Sequence, residues 1–221
     1  MTKTPIRWGG GMYWTSSKRS WLGLFASLRD GRILLRHELT WEHTPPEDAA
    51  EEILKFYRAH DIENCTVVAN AALWPDEKTR YGFTVAESFQ RAGVSMRRGS
   101  EDRVNGLARI HSLLAVRKWK ILEGDTETEV VSPALLIHED CRVIARIFPA
   151  VMEDESNPDD IRKLPQYNPI LGLMAYAMSR PLPTPTAKRE LPPDAIGHWV
   201  NEIRAKLPRG TRDDPASRVR G

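Results

Sequence analysis

The side chains that could carry chemistry are few and scattered. Cys65 lies five residues after His60. A cysteine nucleophile needs its base within hydrogen-bond reach, and closeness in sequence does not supply that geometry. Cys65 opens the apolar run Cys65–Ala69, so it reads as a buried thiol. His111 falls in a helical pattern, and His138, beside Glu139 and Asp140, has no partner at zinc spacing. The hydroxyl-rich stretch Thr15–Ser20 has no histidine nearby to activate a nucleophile, and it reads as a turn between strands. Residues 153–160 (EDESNPDD) are acidic but lack the glycine and ligand order of an EF-hand, which predicts a solvated loop. Glu38, on a strand, reads as solvent-facing; with Asp76 and Asp160 it is a carboxylate that a rebuilt metal site would draw on. Two cysteines make neither a disulfide framework nor a structural zinc site, and they fit a reducing compartment. No metal and no cofactor are expected.

The basic residues point elsewhere. Arg97, Arg98, Arg103, Arg109, Arg117, Lys118 and Lys120 gather in one stretch, with Glu101 and Asp102 interleaved. Such residues contact phosphates in a nucleic-acid groove. A second group, Arg204, Lys206, Arg209, Arg212, Arg218 and Arg220, lies at the end of the chain. Arg97, Arg98, Arg103, Arg212 and Arg218 are the candidate nucleic-acid contacts. The whole chain of 221 residues has a formal charge of only +2, so composition alone does not call for nucleic acid. With 41% hydrophobic and 28% charged residues it can build a core, which excludes disorder throughout. No apolar run is long enough for a membrane span, and the polar stretch Met1–Arg7 has no signal-peptide h-region. No membrane partner is therefore expected.

The elements that must position these groups follow from patterning. Residues 5–42 predict three antiparallel strands, with Asp30-Gly31 as a turn and Gly9-Gly10-Gly11 permitting close backbone approach. Thr44 to Glu47 predicts a capping box with proline at the first helical position, and Ala49, Ile53, Phe56 and Tyr57 line one face of that helix. Cys65–Ala69 predicts a buried strand. A second capping box, Thr84 to Glu87, opens a helix ending at Gly93, and Val94–Met96 is the next strand. Ser100 is the expected cap of a third helix carrying Val104, Leu107, Ile110, His111 and Leu114. Trp119–Leu122 is expected at a sheet edge, Pro133–Ile147 as helix, and Tyr167–Ser179 as a buried helix in which Gly172 marks close packing. Five prolines in 181–193 predict an extended linker. Beyond it, residues 194–207 predict an amphipathic helix, with Ile196, Trp199, Val200 and Ile203 as the stripe that folds back on the main domain or docks on a partner, and 208–221 predict a basic tail. From residue 181 onward the net charge is +3.

This order of elements and its local motifs resemble the nuclease domain of the large terminase subunit of tailed phages, over roughly residues 6–180. The resemblance implies an α/β, RNase H-like fold: a mixed five-stranded sheet flanked by helices over 1–180. No Walker A loop of a packaging ATPase precedes it. In the family an Asp-x-Gly at the end of the first strand, an acid at the end of the fourth strand before a Pro-Ala-like turn, and a final Asp-His-x-x-Asp followed by an aromatic hold metal ions. The matching positions here are Gly9 (of Gly9-Gly10-Gly11), Asn70 (of Val67-Val68-Ala69-Asn70-Ala71-Ala72), and Asn168 and Gly172 (of Asn168-Pro169-Ile170-Leu171-Gly172, with Tyr176 following). Asp102-Arg103 matches the family's opening of the third helix. All four acids are replaced. Two-metal phosphodiester cleavage needs carboxylates, and neither glycine nor asparagine supplies one. The resemblance thus implies a nuclease fold without its metal site, acting as a binding or scaffolding component with other packaging or virion proteins and with double-stranded DNA, in the host cytoplasm or the virion. A DNA-binding module working through the basic tail and an active nuclease with a rebuilt site are the alternatives.

Overall fold

The computed structural model describes residues 7–15, 19–28, 30–75, 82–123 and 126–180. Asp76, the linker 181–193, the helix expected at 194–207 with Ile196, Trp199, Val200 and Ile203, and the tail with Arg212 and Arg218 lie outside the described residues.

Three strands, β1 (Arg7–Tyr13), β2 (Arg19–Ser27) and β3 (Ile33–Glu42), pair antiparallel in sequence order. The turn between β2 and β3 uses Gly31 at φ 91°, a left-handed conformation that favours glycine, and Leu28 N donates to Arg32 O at 2.8 Å. Helix α1 (Pro46–Ala59) carries the chain to β4 (Thr66–Ala69), which pairs parallel with β1. Helix α2 (Val85–Ala92) leads to β5 (Ser95–Arg98), parallel to β4. After α3 (Arg103–Leu114), strands β6 (Val116–Glu123) and β7 (Thr126–Pro133) form their own antiparallel ribbon. Strand β8 (Leu135–Ile137) then joins the main sheet beside β3, followed by α4 (Arg142–Ile147), the short pair β9 (Glu153–Asp154) and β10 (Asn157–Ile161), and α5 (Asn168–Met178). The main sheet has six strands in the order β5-β4-β1-β2-β3-β8. The five expected strands are in it, and β8 is the addition.

Strand β2 shows why the sheet is buried on both faces. Side chains alternate sides along a strand. Trp21 and Phe25 point into one core with Ile110, Leu173 and Tyr176 of α3 and α5. Leu22 and Leu24 point into the other, with Ile53 of α1 and Phe89 of α2. The unbroken apolar run of β2 is what a central, doubly covered strand requires.

Local expectations fare unevenly. The Thr84–Glu87 capping box forms, and Gly93 closes α2 at φ 105°. The box expected at Thr44 does not: α1 starts after Pro45 with no side-chain cap, and the Thr44 hydroxyl donates to Glu42 O instead. Asp102, not Ser100, caps α3 by accepting from Asn105 N at 3.0 Å. On α3 the buried positions are Gly106, Ile110, Leu113 and Leu114, while Val104 and His111 are exposed. The helix expected over 133–147 is a strand and then a short helix, because Leu135–Ile137 completes hydrogen bonds along the open edge of β3. The ribbon β6–β7 sits apart from the main sheet; Trp119, 2% exposed, anchors it in the core with α3 and α5 and donates from Nε1 to Ser132 O of β7 at 2.9 Å. The acidic segment 153–160 contains the β9–β10 pair rather than a plain loop.

Candidate functional site

Helix α5 lies directly on β1, and glycines on both sides permit it. A Cβ on Gly9 would sit 2.8 Å from Tyr176 Cε2. One on Gly11 would strike the Gly172 carbonyl oxygen and sit 2.7 Å from Tyr176 Cβ. One on Gly172 would lie 2.8 Å from Trp21 Cε3 and 3.1 Å from Tyr13 N. Gly10, on the opposite face, would meet Val67 and Leu22. Gly9, Gly11 and Tyr13 therefore share the α5 face of β1. Tyr176, stacked on Phe25 at 4.0 Å, and Trp21, fully buried, fill the space that side chains at positions 9 and 172 would need.

The structure separates Gly9 from the other predicted positions. In the parallel register Gly9 is level with Thr66, at the start of β4, and Met12 with Ala69, at its end. The residue level with Asn70 is therefore Tyr13. Sequence reasoning passed over Tyr13, although it lies two residues beyond Gly11 and so on the same strand face.

Asn70 and Asn168 both hold the ends of the β1–β2 connection. Asn70 Oδ1 accepts from Trp14 N at 2.8 Å, and its Nδ2 donates to Trp14 O at 3.3 Å. The side chain thereby prolongs the β1–β4 pairing by one step and fixes Trp14, whose ring packs edge-on against Phe89 at 5.1 Å. Asn168, 6% exposed at the start of α5, donates from Nδ2 to Arg19 O at 3.1 Å.

The other candidates are engaged in structure. Glu38 does not face solvent: its Oε2 accepts from Trp21 Nε1 at 3.0 Å and from Ile144 N at 3.2 Å, and its Oε1 from Val143 N at 2.5 Å. It thus caps α4 across the sheet edge. Asp160, 7% exposed, accepts from Arg103 Nε at 2.9 Å on both oxygens, and Arg103 Nη2 donates to Ile161 O at 2.8 Å. Arg109 donates to the carbonyls of Ala177 and Arg180, the last turn of α5 and beyond. Arg97 and Arg98 are exposed on the edge strand β5. The Cys65 thiol accepts from Tyr57 OH at 3.4 Å, and burial pushes its pKa up to about 11, the reverse of an activated nucleophile. His60 instead stacks on Phe56 at 4.1 Å. His138 lies 3.2 Å from Asp140. Among the described residues no three His, Cys, Asp or Glu side chains are grouped to hold a metal ion.

An open cleft of about 320 Å³ lies between the end of β1, the first turns of α5 and the loop after β10. Among the described residues Tyr13, Thr15 and Asn168 supply polar groups, Arg103, Arg162 and Lys163 supply three cations, and no carboxylate lines it. Arg162 and Lys163 follow directly on the acidic segment, a switch of charge visible in the sequence and not recognised there as a site.

No protein-family model matches the sequence, and no curated protein matches it. Among solved structures the chain is similar to the large terminase of a thermophilic bacteriophage, with a TM-score of 0.58 and 10% identity, over 80% of this chain and 41% of that one. It is also similar to the P22 large terminase nuclease domain, with a TM-score of 0.57 and 13% identity, over 80% of this chain and 84% of that one. The chain thus spans about two fifths of the thermophilic phage's terminase. At these identities the likeness is one of fold: a mixed, six-stranded sheet flanked by helices, in the RNase H-like arrangement of phage large-terminase nuclease domains.

Proposed function

We propose that this chain is a terminase-nuclease-like phage protein that does not cleave DNA and instead binds or scaffolds in genome packaging or in the virion. One observation carries the reading. The cleft between the end of β1, the start of α5 and the loop after β10 is lined, among the described residues, by three cations and no carboxylate. Hard divalent ions need anionic oxygens, and a two-metal mechanism needs several of them converging. This donor set does not fit a metal pair. The Asn70 and Asn168 amides are spent on the backbone of Trp14 and Arg19, and Gly172 is closed off by Trp21. The partners that suit this reading are other packaging or virion proteins and double-stranded DNA, in the host cytoplasm or the particle. No helix among the described residues is long and apolar enough to cross a membrane. The test is plasmid DNA incubated with the full chain and Mg²⁺ or Mn²⁺. The expected result is intact plasmid; cleavage that EDTA stops would overturn the reading.

A further inference from the structure

We propose that the cleft grips a nucleic-acid phosphodiester directly, through Arg103, Arg162 and Lys163, with no metal ion between protein and phosphate. The proposal rests on the reading above, that these residues hold no metal pair.

Arg103 is the preset member. Asp160 and the Ile161 carbonyl take up its Nε and Nη2, and its side chain remains 24% exposed on the cleft wall. A guanidinium fixed before the ligand arrives loses less rotamer freedom on binding, and its planar fork matches a phosphate. Arg162 is held more loosely. It pairs with Glu155, whose side chain is 82% exposed, and reaches the Glu153 carbonyl at 3.3 Å. An exposed ion pair contributes little, so a phosphate can displace it. Lys163 is exposed, and Asp154, the acid that feels its charge, lies off the cleft wall. The cleft therefore inverts the usual sign of such a site: instead of acids holding cations that hold phosphate, the cations belong to the protein. Leu164, 37% exposed, and Pro165 add an apolar rim against which a sugar can rest. Fork-shaped cations beside an apolar wall suit a phosphate–sugar backbone better than a carboxylate-rich peptide.

The test is fluorescence anisotropy of a labelled duplex of about 30 base pairs with the full chain in about 50 mM salt and excess EDTA. Binding is expected to persist in EDTA. R162E/K163E is expected to weaken it about tenfold and to reduce the salt slope by about two, with the unfolding midpoint unchanged. Should the double reversal lower that midpoint, K163Q alone is expected to weaken binding in the same sense by about threefold. The proposal is overturned if EDTA abolishes binding, if the wild-type chain does not bind, or if the variants bind like wild type. It is also overturned if poly-glutamate of matched charge competes as well as unlabelled duplex, which would assign the cleft to an acidic protein. Cleavage of the duplex in Mn²⁺ is a separate outcome: it would sink the non-cleaving reading, whereas loss of EDTA-resistant binding sinks only this one.

Discussion

An amide and a carboxylate share a shape but not a hydrogen-bonding sense, and that difference decides what Asn70 and Asn168 can do. Each donates from Nδ2 to a backbone carbonyl, of Trp14 and Arg19 respectively. An aspartate there would set a negative oxygen against a carbonyl oxygen. Asn70→Asp and Asn168→Asp are each expected to cost about 1–3 kcal/mol in urea unfolding, and the double variant is expected to leave plasmid intact in Mn²⁺. Unchanged stability would show that neither amide is a clamp. Gly172 is constrained in another way. Gly172→Ala puts a methyl 2.8 Å from the Trp21 ring, where over-packing costs about 1–3 kcal/mol, and the larger Gly172→Asp is expected to cost more. Restoring an acid at that position thus strains the packing of α5 on β1. Wild-type stability of Gly172→Ala would contradict this.

Elements were legible where local chemistry and tertiary packing agree. The Thr84–Glu87 box and the apolar run of β2 each specify their outcome within a few residues. They were illegible where a distant partner decides. Leu135–Ile137 reads as part of a helix until β3 offers an open edge, and nothing near Glu38 in sequence shows that it will cap α4 more than a hundred residues later. The site was legible to the same degree. Motif order singles out Asn70, Asn168 and Gly172 as expectations, whereas the level of Tyr13 depends on the β1–β4 register and the Arg162-Lys163 wall on how β10 returns to α3. The Glu38 cap yields a prediction at this scale. Glu38→Ala leaves the amides of Val143 and Ile144 and the Trp21 indole without their acceptor, and is expected to cost about 1.5–3 kcal/mol. Hydrogen exchange should rise first at Val143 and Ile144. Exchange rising evenly across the sheet would mean that α4 does not depend on this contact.

At the scale of the molecule, one sheet separates two cores, and the face carrying α1 holds a titratable group. His37 stacks on Trp8 at 5.9 Å and meets Phe56 edge-on at 5.0 Å. Burial, then Arg36, His60 and His138, lower its pKa to about 4, with Asp140 opposing. The unfolded imidazole takes its proton near pH 6.5. Between those values the unfolded chain binds more protons, so this contribution is complete above about pH 6.5 and is lost as pH falls toward 4. His37→Phe is expected to flatten the pH dependence of unfolding in that window; an unchanged slope would show that His37 is not its source. The other face carries the cleft, whose cationic lining leaves no anionic oxygen for a divalent ion among the described residues. Manganese binding to the full chain, followed by the electron paramagnetic resonance of the free ion, tests it most directly. The free-ion signal of the wild-type chain is expected to match that of an N70A/N168A variant throughout the titration. Saturable uptake of two ions that this variant abolishes would contradict it.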